Sequence, residues 1–341
     1  MTRITIKEIA QKTGLSIATV SRVINDHPDV SKQTRHRVQQ VIDELGYAPN
    51  AVARSLIQGR SKILGVVSTG IEFYGPSQTM AGIERQANEL DYWLMSSLLH
   101  DPETNGGEDA LRHLLAQQVD GIIWAVPEVG RNREWICHHS RTLAVPIVFL
   151  HMTCRDDLFV VAVDNFAGAQ QAVRHLLAQG YTHIGCVSGP AHWWEAQERQ
   201  RGWRDTLLAA GITPDNRLLQ TGDWTAASGF AAFLRLADAN PDLEAVFVSS
   251  DQMALGVLKA AHQLGKRVPD DLAIVGFDDV PEAAYYIPSL TTVRHDVINV
   301  GAQAVRLLDT LLNTPESEPF SSLAPNWIVP ELVVRDSSLC S

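Results

Sequence analysis

The sequence is poor in the features that mark secreted, membrane or metal-binding proteins. Its four cysteines, Cys137, Cys154, Cys186 and Cys340, include no CxxC pair, so we expect reduced thiols in a cytoplasmic protein. No apolar run approaches the ~18 residues of a membrane span. The first residues contain no apolar signal core, and we therefore expect neither secretion nor membrane insertion.

The sequence also lacks the common enzyme signatures. There is no GxGxxG after a predicted strand, and there is no GxxxxGK[ST], HExxH or GxSxG segment. His138 and His139 have no further ligands at metal-binding spacing. We therefore predict no catalytic residue, no metal and no cofactor, and we do not expect an enzyme.

Positive charge is scarce overall but concentrated at one end of the chain. The 341 residues carry a net charge of −11 and are 45% hydrophobic and 20% charged, an ordinary globular composition. Residues 1–60 contain nine Lys or Arg and five Asp or Glu, a net charge of +4, whereas the remaining 281 residues carry −15. A basic segment followed by an acidic body is typical of a DNA-binding head on a globular domain.

Residues 5–25, TIKEIAQKTGLSIATVSRVIN, predict two short helices joined by a tight turn. Thr5 and Glu8 have the spacing of a capping box. Gly14 suits the left-handed conformation of the turn, and Ser16 suits the N-cap of the second helix. A third helix is expected between Ser31 and Gly46. The second helix would present small and polar side chains outward, as in a helix-turn-helix that reads the DNA major groove. A three-helix domain without a DNA role is the alternative.

Residues 47–62, YAPNAVARSLIQGRSK, have the composition of a linker with a conditional helix. A helix of about two turns is marginal alone, since isolated helices shorter than ~12 residues seldom form in water. Its apolar Leu56 has two interpretations, a wedge between base pairs in the minor groove or packing on a neighbouring domain.

From residue 63 onward, apolar strand-like runs alternate with amphipathic helices. The runs are ILGVVS, YWLMSSLL, GIIWAV, PIVFL, HIGCVSG, AVFVSS and LAIVGF. This pattern predicts parallel sheets covered by helices on both faces. About 280 residues is large for one such sheet, so we expect two similar lobes, with a ligand at the carboxyl ends of their strands in the cleft between them.

Several motifs together resemble the LacI/GalR family of transcriptional regulators, particularly its lactose repressor branch. They include IKEIAQKTGLSIATVSRVIN, YAPNAVARSL and IVGFDDVPEAAYYIPSLTTV, with YGPSQTMAGIE, GDWTAASGF and SSDQMALG between them. The resemblance covers nearly the whole chain. It implies an all-α helix-turn-helix head and a two-lobed, periplasmic-binding-protein-like α/β body that binds an effector.

The resemblance gives the domain boundaries that we predict. They are a head over 1–46, a hinge over 47–61 and an effector-binding and dimerisation domain over 62–341. The first lobe would comprise about 62–161 and 292–323, and the second lobe about 162–291 and 324–341.

The resemblance also implies which residues contact operator DNA. Ile17 and Ala18 would set operator preference, Arg22 can bind guanine, and Leu56 would be inserted at the operator centre by a helix that folds on DNA. The full predicted set is Thr5, Ser16, Ile17, Ala18, Thr19, Ser21, Arg22, Asn25, Ser31, Thr34, Asn50, Ala53 and Leu56.

The body residues that match sugar-binding positions suit sugar chemistry, since carboxylate and guanidinium groups bind hydroxyls and aromatic rings cover C–H faces. Arg199, Trp224 and Asp278 match positions that bind sugar in the family. Two structural roles are the alternatives: Asp278 could cap a turn after its strand, and Trp224 could pack in the core. The sequence departs from the family pattern at Ser250, His151, His295 and the bulky pair Trp193–Trp194. The two histidines suggest that effector binding depends on pH; the alternative is that they form ordinary hydrogen bonds. The predicted effector site comprises Phe73, Pro76, His151, Trp193, Arg199, Trp224, Ser250, Asp278 and His295.

These residues predict a repressor of carbohydrate-utilisation genes, released from a near-palindromic operator by a β-galactoside or another β-glycoside. Residues 313–341 contain four prolines and no leucine heptad, so we expect a homodimer. The alternatives are a regulator that requires a purine or other corepressor, a sugar-binding protein that binds no DNA, and a sugar-processing enzyme. An enzyme of that kind needs two carboxylates facing a cleft, and adjacent Asp278 and Asp279 would provide at most one.

Overall fold

The computed structural model describes residues 4–24, 27–47, 60–100, 106–129, 143–153, 158–314 and 326–339. The chain divides into two compact units, Met1–Ser61 and Lys62–Ser341. No helix among the described residues is both long enough and apolar enough to cross a membrane.

The first unit contains three helices: α1 (Ile6–Thr13), α2 (Ile17–Ile24) and α3 (Lys32–Leu45). The backbone N–H of Thr5 donates to the Glu8 carboxylate at 2.6 Å, which fixes the start of α1. Gly14 turns the chain with φ +67°. Each later helix begins after a serine whose hydroxyl oxygen accepts a backbone N–H, from Thr19 in α2 and from Thr34 in α3.

The three helices enclose a small apolar core. Their facing sides bury Ile9, Ala10, Val20, Val23 and Val38. With the partly buried Ile6, Val41 and Leu45, they recur at intervals of three or four on each helix. The predicted amphipathic pattern therefore positions the helices, and the opposite side of α2 is left to solvent.

The second unit contains two six-stranded sheets. Its described elements, in chain order, are β1 (Ile63–Thr69), α4 (Tyr74–Glu89), β2 (Trp93–Leu99), α5 (Gly106–Ala116), β3 (Gly121–Ala125), β4 (Ile147–Leu150), β5 (Phe159–Val163), α6 (Asn165–Ala178), β6 (Ile184–Ser188), α7 (Trp194–Ala209), β7 (Leu219–Thr221), α8 (Ala226–Ala239), β8 (Ala245–Val248), α9 (Asp251–Gln263), β9 (Ala273–Asp278), β10 (Thr291–Arg294), α10 (Val297–Asn313), β11 (Asn326–Ile328) and β12 (Glu331–Val333).

Each sheet belongs to one lobe. The first has the strand order β11-β5-β4-β3-β1-β2 and is entirely parallel, and the second has the order β12-β10-β9-β8-β6-β7. In the second sheet only β12 is antiparallel to its neighbour. Helices cover both faces of each sheet, as the continuous apolar strands predict.

Alternate residues of the central strands point to opposite faces of each sheet. In β4, Val148 and Leu150 pack with α4 and α10, whereas Ile147 and Phe149 pack with α5. In β8 of the second lobe, Val246 and Val248 pack with α8 and α9, and Phe247 packs with α6 and α7. Both faces are therefore buried, and each lobe has its own core.

The lobe boundaries differ from those predicted. β11 lies in the first sheet, although 324–341 was assigned to the second lobe. β10 lies in the second sheet, although 292–323 was assigned to the first lobe. The chain crosses between the lobes three times: after β5, after β10 and after β11. The last two crossings follow strands of three or four residues, which are too short to show the alternating pattern from which a crossing could be located.

Candidate functional site

The surface of α2 places small side chains outward. Ile17 is 46% exposed, Ala18 and Arg22 are exposed, and Thr19 and Ser21 are half-buried. The opposite face holds the buried Val20 and Val23 described above. A helix that exposes an isoleucine, an alanine and an arginine can bring apolar and hydrogen-bonding groups to base edges in a major groove.

The predicted phosphate-binding residues lie at helix starts. Thr5, Ser16 and Ser31 are exposed at the N-termini of α1, α2 and α3, and Thr34 lies in the first turn of α3. Helix N-termini present backbone N–H groups and attract phosphate oxygens. Four predicted DNA-contacting residues lie outside the described residues: Asn25, Asn50, Ala53 and Leu56.

A cavity open to solvent lies between the two lobes, with about 660 Å³ of free space including its opening. The first lobe contributes residues that follow β1, β4 and β5, and the second lobe contributes residues that follow β6, β7, β8 and β9. The cavity is therefore at the carboxyl ends of both sheets, where parallel α/β folds bind ligands. Its wall includes all nine predicted effector-site residues: Phe73, Pro76, His151, Trp193, Arg199, Trp224, Ser250, Asp278 and His295.

Arg199 organises the polar side of the cavity. The residue is 6% exposed, and its Nε donates to Asn165 Oδ1 at 2.7 Å. Its Nη1 donates to the backbone oxygen of Ser249 at 2.5 Å and lies 3.5 Å from Asp278 Oδ1. The guanidinium also stacks over the Phe277 ring at 3.7 Å. Burial lowers the pKa of Arg199, and Asp278 opposes that effect. A guanidinium stays protonated in proteins, and these partners fix its geometry.

Asp278 and Asp279 have different tasks. Asp278 Oδ1 lies 2.9 Å from His295 Nε2 and lines the cavity. The carboxylate of Asp279 instead accepts hydrogen bonds from Arg294 and Arg335, each at 2.6 Å. Only one of these adjacent carboxylates therefore faces the cavity.

The aromatic side of the cavity contains two tryptophans. The rings of Trp193 and Trp224 meet edge to face, with centroids 6.0 Å apart at 64°. Trp224 also packs in the core of the second lobe, while its indole Nε1 has no partner among the described residues. A Cβ at Gly189 would collide with the Trp224 ring, so the glycine allows the ring its place.

The backbone is strained at three of the cavity residues. His151 has φ +55°, Trp224 has φ +74° and Asp278 has φ +124°. Non-glycine residues seldom adopt this region, and such outliers concentrate at functional sites because the surroundings must hold them there. His151 and Trp224 follow strands β4 and β7, and Asp278 is the last residue of β9. All three therefore lie at the carboxyl edge of a sheet, where they line the cavity.

Two titratable groups at one end of the cavity are shifted by burial. Burial lowers the pKa of His151 to about 4, with smaller contributions from His295 and Arg199. Burial also raises the pKa of Glu195 to about 7, and a hydrogen bond from its own backbone N–H, together with Arg199, opposes this shift. His151 is therefore neutral near pH 7, which removes it from the predicted pair of pH-sensing histidines.

Two family descriptions match the chain. Residues 5–50 match the bacterial regulatory proteins of the lacI family, and residues 173–338 match the periplasmic binding protein-like domain. The chain is 32% identical to the lactose operon repressor of Escherichia coli (strain K12), over 99% of this chain and 92% of that protein. It is 33% identical to the transcriptional repressor PurR of Edwardsiella ictaluri, over 95% of each. The chain belongs to the LacI family.

Solved structures of LacI-family proteins have the same architecture. A lac repressor dimer bound to operator and the anti-inducer ONPF has a TM-score of 0.89 and 30% identity, over 99% of this chain and 100% of that chain. A complex of the regulator CelR with cellobiose has a TM-score of 0.72 and 30% identity, over 98% and 100%.

As a LacI-family protein, the chain is a DNA-binding transcriptional regulator, and its homologues are regulators rather than enzymes. Among the residues that the structure describes, no group of three or more His, Cys, Asp or Glu side chains is arranged to hold a metal ion.

Sequence reasoning missed part of the cavity wall of this LacI-family chain. Tyr74, Asn165, Glu195 and Gln252 line the cavity as well. Each lies at or near the start of a helix. Tyr74, Glu195 and Gln252 are within two residues of a predicted one, and Asn165 lies where the chain crosses between the lobes. Proximity to Phe73, Trp193 and Ser250 in the sequence was an available signal for three of them, and Asn165 had none.

Ser250 and Trp194 have structural roles. Ser250 lines the cavity, but its hydroxyl oxygen also accepts the N–H of Met253 and caps α9. Trp194 points away from the cavity wall and stacks on Trp327 of β11, with ring centroids 6.3 Å apart. This stack joins α7 of the second lobe to the first sheet.

Proposed function

We propose that this regulator represses carbohydrate-utilisation genes and is released from a near-palindromic operator by a sugar, either a β-galactoside or another β-glycoside. The cavity carries the proposal, because it combines the Trp193 and Trp224 rings with the Arg199–Asp278 pair. Aromatic rings suit the C–H faces of a sugar ring, and the charged pair suits neighbouring hydroxyls. The relatives point the same way, since one is a lactose operon repressor and another was solved with cellobiose.

The unpartnered groups in the cavity wall support a ligand with several hydroxyls. Trp224 Nε1 is a donor, Glu195 Oε2 is an acceptor, and His295 Nδ1 takes either role. None of the three has a partner among the described residues. Buried polar groups are normally hydrogen-bonded, and a sugar hydroxyl both donates and accepts.

We further propose a homodimer in which each head reads one operator half-site. Ile17, Ala18 and Arg22 of α2 would contact base edges, and the cap residues would contact phosphates. The lac repressor solved on its operator is a dimer. In this account Leu56 is inserted at the operator centre when residues 50–56 fold on DNA, and the protein acts in the cytoplasm, on the chromosome.

A purine corepressor is the alternative, favoured by the relative named PurR. The two proposals predict opposite effects of the ligand on operator affinity, because a corepressor strengthens operator binding and an inducing sugar weakens it. The test is fluorescence anisotropy on DNA selected in vitro from a random pool. The proposal expects a β-glycoside to release that DNA, and tighter binding with a purine would replace it with the alternative.

A further inference from the structure

Two consecutive residues at the end of β9 hold a left-handed backbone conformation. Asp278 has φ +124° and Asp279 has φ +54°, and Asp278 lines the cavity beside Arg199. Non-glycine residues keep such conformations only where the surrounding structure holds them. The place of the Asp278 carboxylate in the cavity wall therefore depends on what fixes the chain on either side of it.

Asp251 fixes the chain on both sides of Asp278. It is the first residue of α9 and is fully buried, so it has no surface that a ligand in the cavity could contact. Its Oδ2 accepts a hydrogen bond from the backbone N–H of Val280 at 2.9 Å. Its Oδ1 lies so close to β9 that a Cβ at Gly276 would collide with it. The carboxylate thus lies against the backbone two residues before Asp278 and two residues after it.

The hydroxyl of Thr292 extends this contact to the residue between. Thr292 lies on β10, is fully buried and donates to Asp251 Oδ1 at 2.6 Å. The same hydroxyl oxygen accepts the backbone N–H of Asp279 at 3.4 Å. Asp251 therefore holds Val280 directly and Asp279 through Thr292, and these are the two residues that follow Asp278.

The burial of the Asp251 carboxylate is unfavourable by itself. Burial and the nearby carboxylate of Asp278 raise the pKa of Asp251 well above its usual value, because an ionised carboxylate loses its hydration and is repelled by a like charge. Arg199 attracts both carboxylates and opposes part of this effect. An apolar side chain at this position would avoid the penalty, so the contacts of the carboxylate explain its presence better than packing does.

We propose that Asp251 is a positioning residue of the effector site: its carboxylate, together with the Thr292 hydroxyl, holds the turn after β9 so that Asp278 faces the effector. Asp251 does not itself contact the effector. The inference deepens the proposed function, in which Asp278 binds the effector, and it rests on that function. It predicts that effector affinity depends on a side chain that no ligand reaches.

The first experiment compares two neighbouring threonines of β10. Thr292→Val removes the hydroxyl that bonds to Asp251. Thr291→Val is the matched control, since it removes a fully buried hydroxyl that bonds to the backbone of Arg335 and to Ser338 Oγ. Dissociation constants are measured by calorimetry for lactose, cellobiose, methyl β-D-galactoside, adenine and hypoxanthine. For whichever compound the wild type binds, we expect Thr292→Val to raise the dissociation constant about fivefold or more and Thr291→Val by less than about twofold.

The second experiment replaces Asp251 itself. Asp251→Ala loses both hydrogen bonds and is expected to raise the dissociation constant at least about tenfold. Asp251→Asn keeps the shape, because its amide oxygen can accept the Val280 N–H and its amino group can donate to the Thr292 hydroxyl. It should return the dissociation constant to within about threefold of the wild type.

Stability is measured separately in all four variants, by urea denaturation and by operator binding without effector. Thr291→Val should lower the unfolding free energy at least as much as Thr292→Val, since its hydroxyl also bonds inside the second lobe. Effector affinity would then not follow stability, which separates positioning of Asp278 from a general structural role. If Asp251→Ala does not fold, the comparison of the two threonines decides the question.

The outcomes separate the two claims. If only a purine binds, the proposed sugar effector is wrong, and the threonine comparison made with that purine still decides the role of Asp251. If no compound binds, both claims fail. If a sugar binds and Thr292→Val keeps the wild-type dissociation constant, the proposed function stands and the positioning role is refuted. Equal losses in Thr292→Val and Thr291→Val would also refute it, because they would indicate a general effect on the second lobe.

Discussion

At the scale of single residues, the proposed sugar site depends most on Arg199. Its guanidinium meets an amide oxygen, a backbone oxygen, a carboxylate and an aromatic face at once. Only a planar group with donors in a fixed fork serves all four. An ammonium group would keep the charge but lose the geometry.

We therefore expect Arg199→Lys to weaken sugar binding at least about tenfold, since one lost charge-assisted hydrogen bond contributes about 1.5–3 kcal/mol. Operator binding in the absence of sugar should not change, so the variant should repress without being induced. Arg201→Lys, on the exposed side of the same helix, is the control. Normal induction of Arg199→Lys would remove Arg199 from the binding site.

His151 gives a pH dependence of stability. Burial lowers its pKa to about 4 in the folded protein, whereas the unfolded chain has the ordinary value near 6.5. Between these values the unfolded chain binds a proton that the folded chain does not, so the free energy of unfolding falls as the pH falls from 6.5 to 4.

Replacing His151 by Gln should remove this contribution. We expect the fall in unfolding free energy between pH 6.5 and 4 to be smaller by about 1–3 kcal/mol, measured by urea denaturation at several pH values. His262→Gln, at an exposed site on α9, controls for the loss of a histidine. An unchanged slope in His151→Gln would contradict the burial of its neutral form.

At the scale of elements, the buried face of α2 contributes to stability and its exposed face to DNA recognition. Val20 is fully buried, whereas Ile17, one turn earlier, is 46% exposed. Substitution of the first should affect folding, and substitution of the second should affect which DNA is bound.

We expect Ile17→Gln to change the base preference of selected operator sequences, because a glutamine amide can bind adenine and an isoleucine cannot. Its unfolding free energy should stay within about 0.5 kcal/mol of the wild type. Val20→Ala, by contrast, should lose about 2 kcal/mol in the head domain and keep the original base preference. Identical selected sequences for Ile17→Gln and the wild type would show that α2 does not read bases at this position.

The strands show which elements of the fold the apolar pattern of the sequence can predict. Seven predicted apolar runs each lie on a strand, and six of these strands have four or more buried residues, which leave a clear signal. β2 was predicted although it has only one buried residue, and β5 was not among the predicted runs although it has four. β7, β10, β11 and β12 have only three or four residues and include polar ones such as Thr292 and Gln220, so they give no period. Their pairing depends on neighbours distant in the sequence, and the crossings between the lobes depend on that pairing.

The candidate site was likewise predicted only where a local sequence pattern was informative. Its nine predicted residues came from matches to short motifs, and the structure places them around one cavity. Glu195 was missed because its place in the cavity wall depends on its surroundings, which enclose an Oε2 atom without a partner among the described residues. No spacing in QERQRGW or its neighbours encodes that enclosure.

At the scale of the whole molecule, the proposal is a coupling between sugar and operator. Binding free energies are linked, so a sugar that weakens operator binding must be weakened by operator to the same extent. We expect a factor of about 5–150 in each direction. Titrating sugar into free and operator-bound protein measures one factor, and titrating operator with and without sugar measures the other; unequal factors would contradict a single linked equilibrium.

The most direct test of the central claim is thermal unfolding of the full chain against β-galactosides, β-glucosides, monosaccharides and purines. A ligand present at 100 times its dissociation constant adds about 2.7 kcal/mol to the folded state, a clear shift in Tm. The account predicts a shift with at least one β-glycoside, reduced in Arg199→Lys. A shift with purines alone, or an equal shift in Arg199→Lys, would contradict it.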